Sequence, residues 1–256
     1  MIMNLSIRAF AIAMIFVFSS AYAQNPNKTF TVKGVSFTMV YVEGGSFTMG
    51  ATYEQEDEAY DWEKPAHKVT LDSYYIGQTE VTLALWYAVM GNILSFYAGD
   101  LQLPVTEVSW DDCQVFIRKL NSLTGERFRL PTEAEWEFAA RGGIKSKCYK
   151  YSGSNNLNDV AWYDGNGGGQ PHNVGTKIAN ELGIYDMSGN VWEWCQDFGG
   201  NYKSNPQTNP TGPSSGSGRV IRGGCWSRED RACRVSARYN CAPDYLDSSP
   251  GLRLCM

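Results

Sequence analysis

The chain has 256 residues and carries 22 Lys plus Arg against 27 Asp plus Glu, for a formal net charge of −5. Its basic residues are scattered rather than clustered, which argues against nucleic acid or an acidic membrane surface as a partner. With only His67 and His172, and with seven cysteines that form no C-x-x-C pair, the composition also argues against a zinc or iron centre built from His and Cys.

The N-terminus reads as an export signal. Arg8 precedes an apolar run at 9–18, too short to span a bilayer, and Ala21-Tyr22-Ala23 supplies a small-residue cleavage site. Cleavage after Ala23 predicts one domain over 24–256, periplasmic or secreted, with no membrane span. In such an oxidising compartment an odd number of cysteines leaves at least one free or intermolecular thiol.

Residues 29–49 alternate apolar and polar, with breaks at Gly34 and Gly44-Gly45, and predict short strands joined by tight turns. The acidic stretch 54–63 reads as a loop and 67–76 as one further strand. Thr82 is a candidate N-cap for a helix running to Met90, ahead of Leu83, Trp86 and Tyr87. A second helix is predicted over 108–123: Trp110, Val115, Phe116 and Leu120 recur at helical spacing, Ser109 with Asp112 forms a capping signature, and Gly125 ends it. Thr132 and Glu135 cap a third helix, which Arg141-Gly142-Gly143 stops.

From 145 to 218 the chain is rich in Gly, Asn, Ser, Asp and aromatics and predicts few regular elements. So long an irregular stretch usually carries function or bound ions. From 219 to the end, strands are expected around a polar loop. There are no internal repeats.

Several ordered segments carry a resemblance: Gly44-Gly45-Ser46-Phe47-Thr48-Met49-Gly50, Glu80-Val81-Thr82, Pro104-Val105-Thr106-Glu107-Val108-Ser109-Trp110, Arg129-Leu130-Pro131-Thr132-Glu133-Ala134-Glu135-Trp136-Glu137, Ser188-Gly189-Asn190-Val191-Trp192-Glu193-Trp194, Arg222-Gly223-Gly224 and Gly251-Leu252-Arg253. In this order they resemble the formylglycine-generating-enzyme (sulfatase-modifying factor) family over essentially all of 24–256. The resemblance implies an α+β fold of the C-type-lectin kind with little regular structure. Most of these residues also have a plain scaffold role: Trp192 and Trp194 flanking Glu193 read as a buried strand with a satisfied carboxylate. Scaffold alone does not decide function.

The family's oxidase carries two cysteines, five residues apart, that follow the Gly-Gly motif and bind copper through soft thiolates. Counted without gaps from Gly223, those places hold Arg228 and Cys233, so the first thiol is absent. Cys225 stands where the enzyme has a serine, and a shifted pair of Cys225 and Cys233 is the catalytic alternative. The family's sulfur–histidine branch needs a histidine-rich iron site, which two histidines do not supply. The resemblance further implies a structural calcium ion, with carboxylate oxygens from Asp186 and Glu193 and carbonyls from Gly189 and Val191. The alternative is that Glu193 pairs with backbone amides and no ion is present.

Three functions follow. The first is a non-catalytic module that binds a protein or small-molecule ligand through the loop after Gly224, where Trp226, Arg228, Arg231, Arg238, Tyr239, Tyr245 and Asp247 mix rigid aromatics with hydrogen-bonding side chains. Some families of this fold diversify that C-terminal segment. The second is copper-dependent oxidation of a sulfatase cysteine to formylglycine by Cys233 and Cys225. The third is a structural subunit of an envelope or secretion assembly.

Overall fold

Strand alternation at the start builds a hairpin. In the computed structural model, which describes residues 26–92 and 99–256, β1 (Lys28–Val32) and β2 (Val35–Val42) pair antiparallel across Lys33-Gly34. Both turn residues have positive φ (46° and 85°), the geometry a two-residue hairpin loop needs to match the twist of its strands. The proposed signal segment lies outside the described residues.

The segment 67–76, expected to be one strand, is two. β4 (His67–Leu71) pairs with β3 (Gly45–Met49), and β5 (Tyr74–Gly77) pairs with β2 in a different sheet. The break at Asp72-Ser73 is set by distant partners. Ser73 Oγ accepts from Gly44 N–H, and Asp72 N–H donates to Asn209 Oδ1. Gly44 packs so closely that a β-carbon there would stand 2.6 Å from the Leu71 carbonyl oxygen.

Three helices form where their caps predict. Thr82 caps α1 (Leu83–Met90), Ser109 with Asp112 caps α2 (Trp110–Thr124), and Thr132 with Glu135 caps α3 (Glu133–Ala140). α1 and α2 end on Gly91 and Gly125 in the left-handed conformation that glycine adopts without a β-carbon penalty. α1 buries all but two of its residues. Trp86 stacks flat on Phe116 of α2, with centroids 4.9 Å apart and planes 2° apart.

The irregular stretch holds only α4 (Leu157–Val160), β6 (Trp192–Phe198) and the short β7 (Gln207–Thr208), which adds to β4 in parallel. Beyond it come β8 (Arg219–Arg222), β9 (Arg238–Cys241) and β10 (Pro250–Gly251), giving a sheet ordered β10-β6-β8-β9. The chain end then threads back into the core: Leu252 and Leu254 carbonyls accept from Val81 and Gly77 N–H, and Cys255 bridges Arg129.

Buried ion pairs order this loop-rich half. Arg222, Arg234 and Arg253 are each fully buried. Arg234 grips both oxygens of Glu63, at 2.7 and 2.9 Å, and Arg222 meets Glu137. Removing one partner of such a pair leaves an uncompensated buried charge, at a cost of about 3–5 kcal/mol. No helix among the described residues is long and apolar enough to cross a membrane.

Candidate functional site

After β8 the backbone turns through Gly223 and Gly224, with φ of 99° and 77°. Only glycine fits at 224, because a β-carbon there would lie 2.7 Å from Cys233 Sγ. The turn therefore seats Cys233 against the residue that precedes Cys225. Both cysteines are free thiols with 0% exposure. Burial pushes both pKa values up, and for Cys233 the neighbouring Cys225 adds to the rise. A buried, protonated thiol is neither a nucleophile nor a good metal ligand.

Arg228, at the place of the family's first thiol, is exposed. Its N–H donates to the Cys225 carbonyl at 3.0 Å, closing a tight turn. Nearby, Tyr245 OH donates to Asp247 Oδ2 at 2.7 Å, and Ser248 N–H donates to Asp247 Oδ1. The Tyr245 bond, with further help from Ser248 and Arg228, holds the Asp247 carboxyl below the usual carboxylate range. The same bond pushes Tyr245 up to about 12.

The seven residues read from sequence as one surface divide into three settings. Arg228, Tyr245 and Asp247 form a solvent-facing group, with half-buried Trp226 at its root; the Trp226 Nε1 has no partner among the described residues. Tyr239 and Arg231 join an aromatic cluster. Tyr60 and Trp62 stack there at 4.6 Å, Tyr239 meets Trp62 edge-on at 6.1 Å, and the Arg231 guanidinium covers the Tyr60 ring at 3.7 Å. Arg238 lies beneath the surface. It is buried, its Nε and Nη2 hold the two Glu133 oxygens at 2.6 and 2.7 Å, and Nη1 donates to the Trp62 and Gly200 carbonyls. Tyr60 and Trp62 escape the sequence reading because they sit in the acidic segment 54–63; two aromatics two residues apart in a charged loop are the signal.

In the segment 186–193, Asp186 and Asn190 both have φ of 60° and Gly189 has 78°. Glu193 is held by side chains rather than by backbone amides: Arg253 reaches both its oxygens and Trp136 Nε1 donates to Oε2 at 2.6 Å. The acid that faces Asp186 is instead Glu80, which the sequence marked as part of a family motif and not as a ligand. Asp186 Oδ2 accepts from Gly175 N–H at 2.6 Å and Glu80 Oε1 from Asn190 Nδ2 at 3.0 Å. Their other oxygens, Asp186 Oδ1 and Glu80 Oε2, are buried with no N–H donor among the described residues, and a hydrogen bond between the two carboxyls works to lower Asp186. Burial raises both carboxyls, and Asp186 adds to the rise at Glu80. Two facing carboxyls in so dry a place hold a shared proton or a hard cation such as calcium. No group of three or more His, Cys, Asp or Glu side chains is arranged for a metal among the described residues, so main-chain oxygens would have to complete such a site.

Residues 25–256 match the model of the sulfatase-modifying factor enzyme 1-like domain. The chain is 34% identical over 271 residues to the chaperone protein LppX of Paenibacillus barcinonensis, covering 86% of this chain and 89% of that one. It is 29% identical over 282 residues to the formylglycine-generating enzyme of Streptomyces coelicolor, covering 84% and 87%. By contrast, it spans 37% of the length of another relative, the serine/threonine-protein kinase pkn1 of Chlamydia pneumoniae, at 30% identity. Among solved structures, Treponema denticola variable protein 1 superposes with a TM-score of 0.81 at 34% identity, over 90% of this chain and 98% of that one. By fold, motif order and these relatives, the chain belongs to the sulfatase-modifying factor (formylglycine-generating enzyme) family.

Proposed function

We propose that the chain is an exported, non-catalytic member of this family that binds a protein or small-molecule ligand through the loop surface after Gly224, on a scaffold ordered by calcium. The observation that carries this reading is the inversion of the family's redox loop. The side chain at the first thiol's place, Arg228, is exposed and cannot ligate copper, while Cys225 and Cys233 are sealed in the interior with raised pKa values. Arg228, Tyr245 and Asp247 then offer charge, an aromatic ring and hydrogen bonds on a surface braced from below, the composition of a recognition patch. The likeness to a protein named as a variable protein supports it further.

For calcium, Asp186 and Glu80 would supply carboxylate oxygens and Gly189 and Val191 carbonyls. Glu193 would take no direct part, being committed to Arg253. The ion would neutralise the buried acids and pin the irregular loop.

A second reading is the oxidase, supported by relatives named formylglycine-generating enzyme and by the approach of Cys233 to the backbone beside Cys225. Titration with Cu(I) separates the two. The binding module takes up no stoichiometric copper, whereas the oxidase takes up one equivalent and loses it on Cys233→Ser.

A further inference from the structure

The buried acid pair and the loop after Gly224 meet at one residue. Asn190 is 0% exposed. Its side chain ties two neighbours: Nδ2 donates to Glu80 Oε1 at 3.0 Å, and Oδ1 accepts from His172 N–H at 2.9 Å. Its backbone ties two more, the N–H donating to the Trp162 carbonyl at 2.7 Å and the carbonyl accepting from Trp226 N–H at 2.8 Å. Beside it, Gly189 N–H donates to the Gly223 carbonyl at 2.7 Å. The recognition loop is thus fastened at its base to the segment that carries Asn190.

The residue type follows from these bonds. Asn190 has φ of 60°, in the left-handed region. Glycine would accept that backbone but bring no side chain, and aspartate would bring a carboxylate against Glu80 and no donor. Asparagine tolerates the region and offers a donor and an acceptor at once. In a buried setting each of these bonds is costly to leave unmade, so the position of Glu80 constrains the Asn190 amide, and the Asn190 peptide constrains Trp226.

The carbonyls of Gly189 and Val191, offered above as calcium ligands, flank Asn190 on either side. An ion there would hold the 189–191 backbone from both ends and fix the Glu80 carboxyl that Asn190 reaches.

We propose that Asn190 couples the Glu80–Asp186 pair to the recognition loop, so that calcium at the acid pair orders residues 223–228 and readies the loop for its ligand. The inference rests on the calcium reading given above. Such coupling is reciprocal: a ligand that docks on the ordered loop tightens calcium by the same factor.

The test is amide hydrogen exchange on the full mature chain, in calcium alone and in chelator. Exchange at Trp226 and Arg228 should slow by about tenfold in calcium, while Asn209, whose N–H donates to the Thr70 carbonyl beside β7, should change little. Asn190→Gly keeps the left-handed backbone and cuts both side-chain bonds. It should retain a calcium-dependent rise in melting temperature and lose the slowing at Trp226. Should this variant not fold, the contrast between Trp226 and Asn209 in the wild type decides by itself. A rise in melting temperature with unchanged exchange at Trp226 overturns the coupling and leaves the calcium reading standing. Equal slowing at Trp226 and Asn209, or full slowing in Asn190→Gly, overturns the coupling as well. No response of either readout to calcium overturns both, with the acid pair then holding a proton in place of the ion.

Discussion

Arg253 and Glu193, both fully buried, are joined by Nη2 to Oε1 at 2.6 Å and by Nε to Oε2 at 2.9 Å. The pair ties the last segment of the chain to β6, and Arg253 also donates to the carbonyls of Gly77 and Tyr185. One guanidinium thus fastens four separate stretches of sequence. Arg253→Met strands the Glu193 charge and should destabilise the fold by about 3–5 kcal/mol, with the double variant Arg253→Met/Glu193→Met recovering part of the loss. Urea denaturation measures both. A single variant within about 0.5 kcal/mol of wild type would show that the pair does not hold the chain end.

Asp197 predicts the pH dependence of stability. Its folded pKa of about 7 lies above the unfolded carboxylate value of about 3.9, so the neutral form is favoured in the folded chain. The associated stability is fully present below about pH 4 and is lost as pH rises through 7. Asp197→Asn removes the titration and should stabilise the protein at pH 8 by up to about 4 kcal/mol, with little change at pH 4. Denaturation at the two pH values checks this, and an equal effect at both would contradict it.

Calcium should raise the melting temperature. Binding only the folded state at 100 times its dissociation constant adds about 2.7 kcal/mol. The shift should vanish in Glu80→Gln and in Asp186→Asn, whose carboxyls face each other. A melting temperature indifferent to chelator and to added calcium removes the ion from the account.

Export is checked by intact mass. Protein recovered from the periplasm or medium should begin at or near Gln24, and a mass that retains residues 1–23 contradicts the cleavage.

The elements legible in the sequence are those whose causes are local. Thr82, Ser109 and Thr132 cap helices through partners three residues away, and Gly91 and Gly125 end α1 and α2 at the next position. Long-range causes were hidden. The split of 67–76 depends on Gly44 and Asn209, and Glu63 finds Arg234 across 171 residues. The candidate site divides the same way. Arg228, Tyr245 and Asp247 come together because they are close in sequence, whereas Arg238 was read as a surface residue because its partner Glu133 is 105 residues away. Glu80 was hidden opposite Asp186 for the same reason: no periodicity places a helix approach beside a loop a hundred residues on.

We infer that the redox loop of the family serves this chain as a binding surface. Purified protein with Cu(I), oxygen and a Cys-x-Pro-x-Arg peptide, followed by mass for aldehyde formation, tests it most directly. Arg228 at the first thiol's place, together with the raised pKa values of Cys225 and Cys233, predicts no turnover. Multiple turnovers that disappear on Cys233→Ser would contradict the account and make the chain an oxidase.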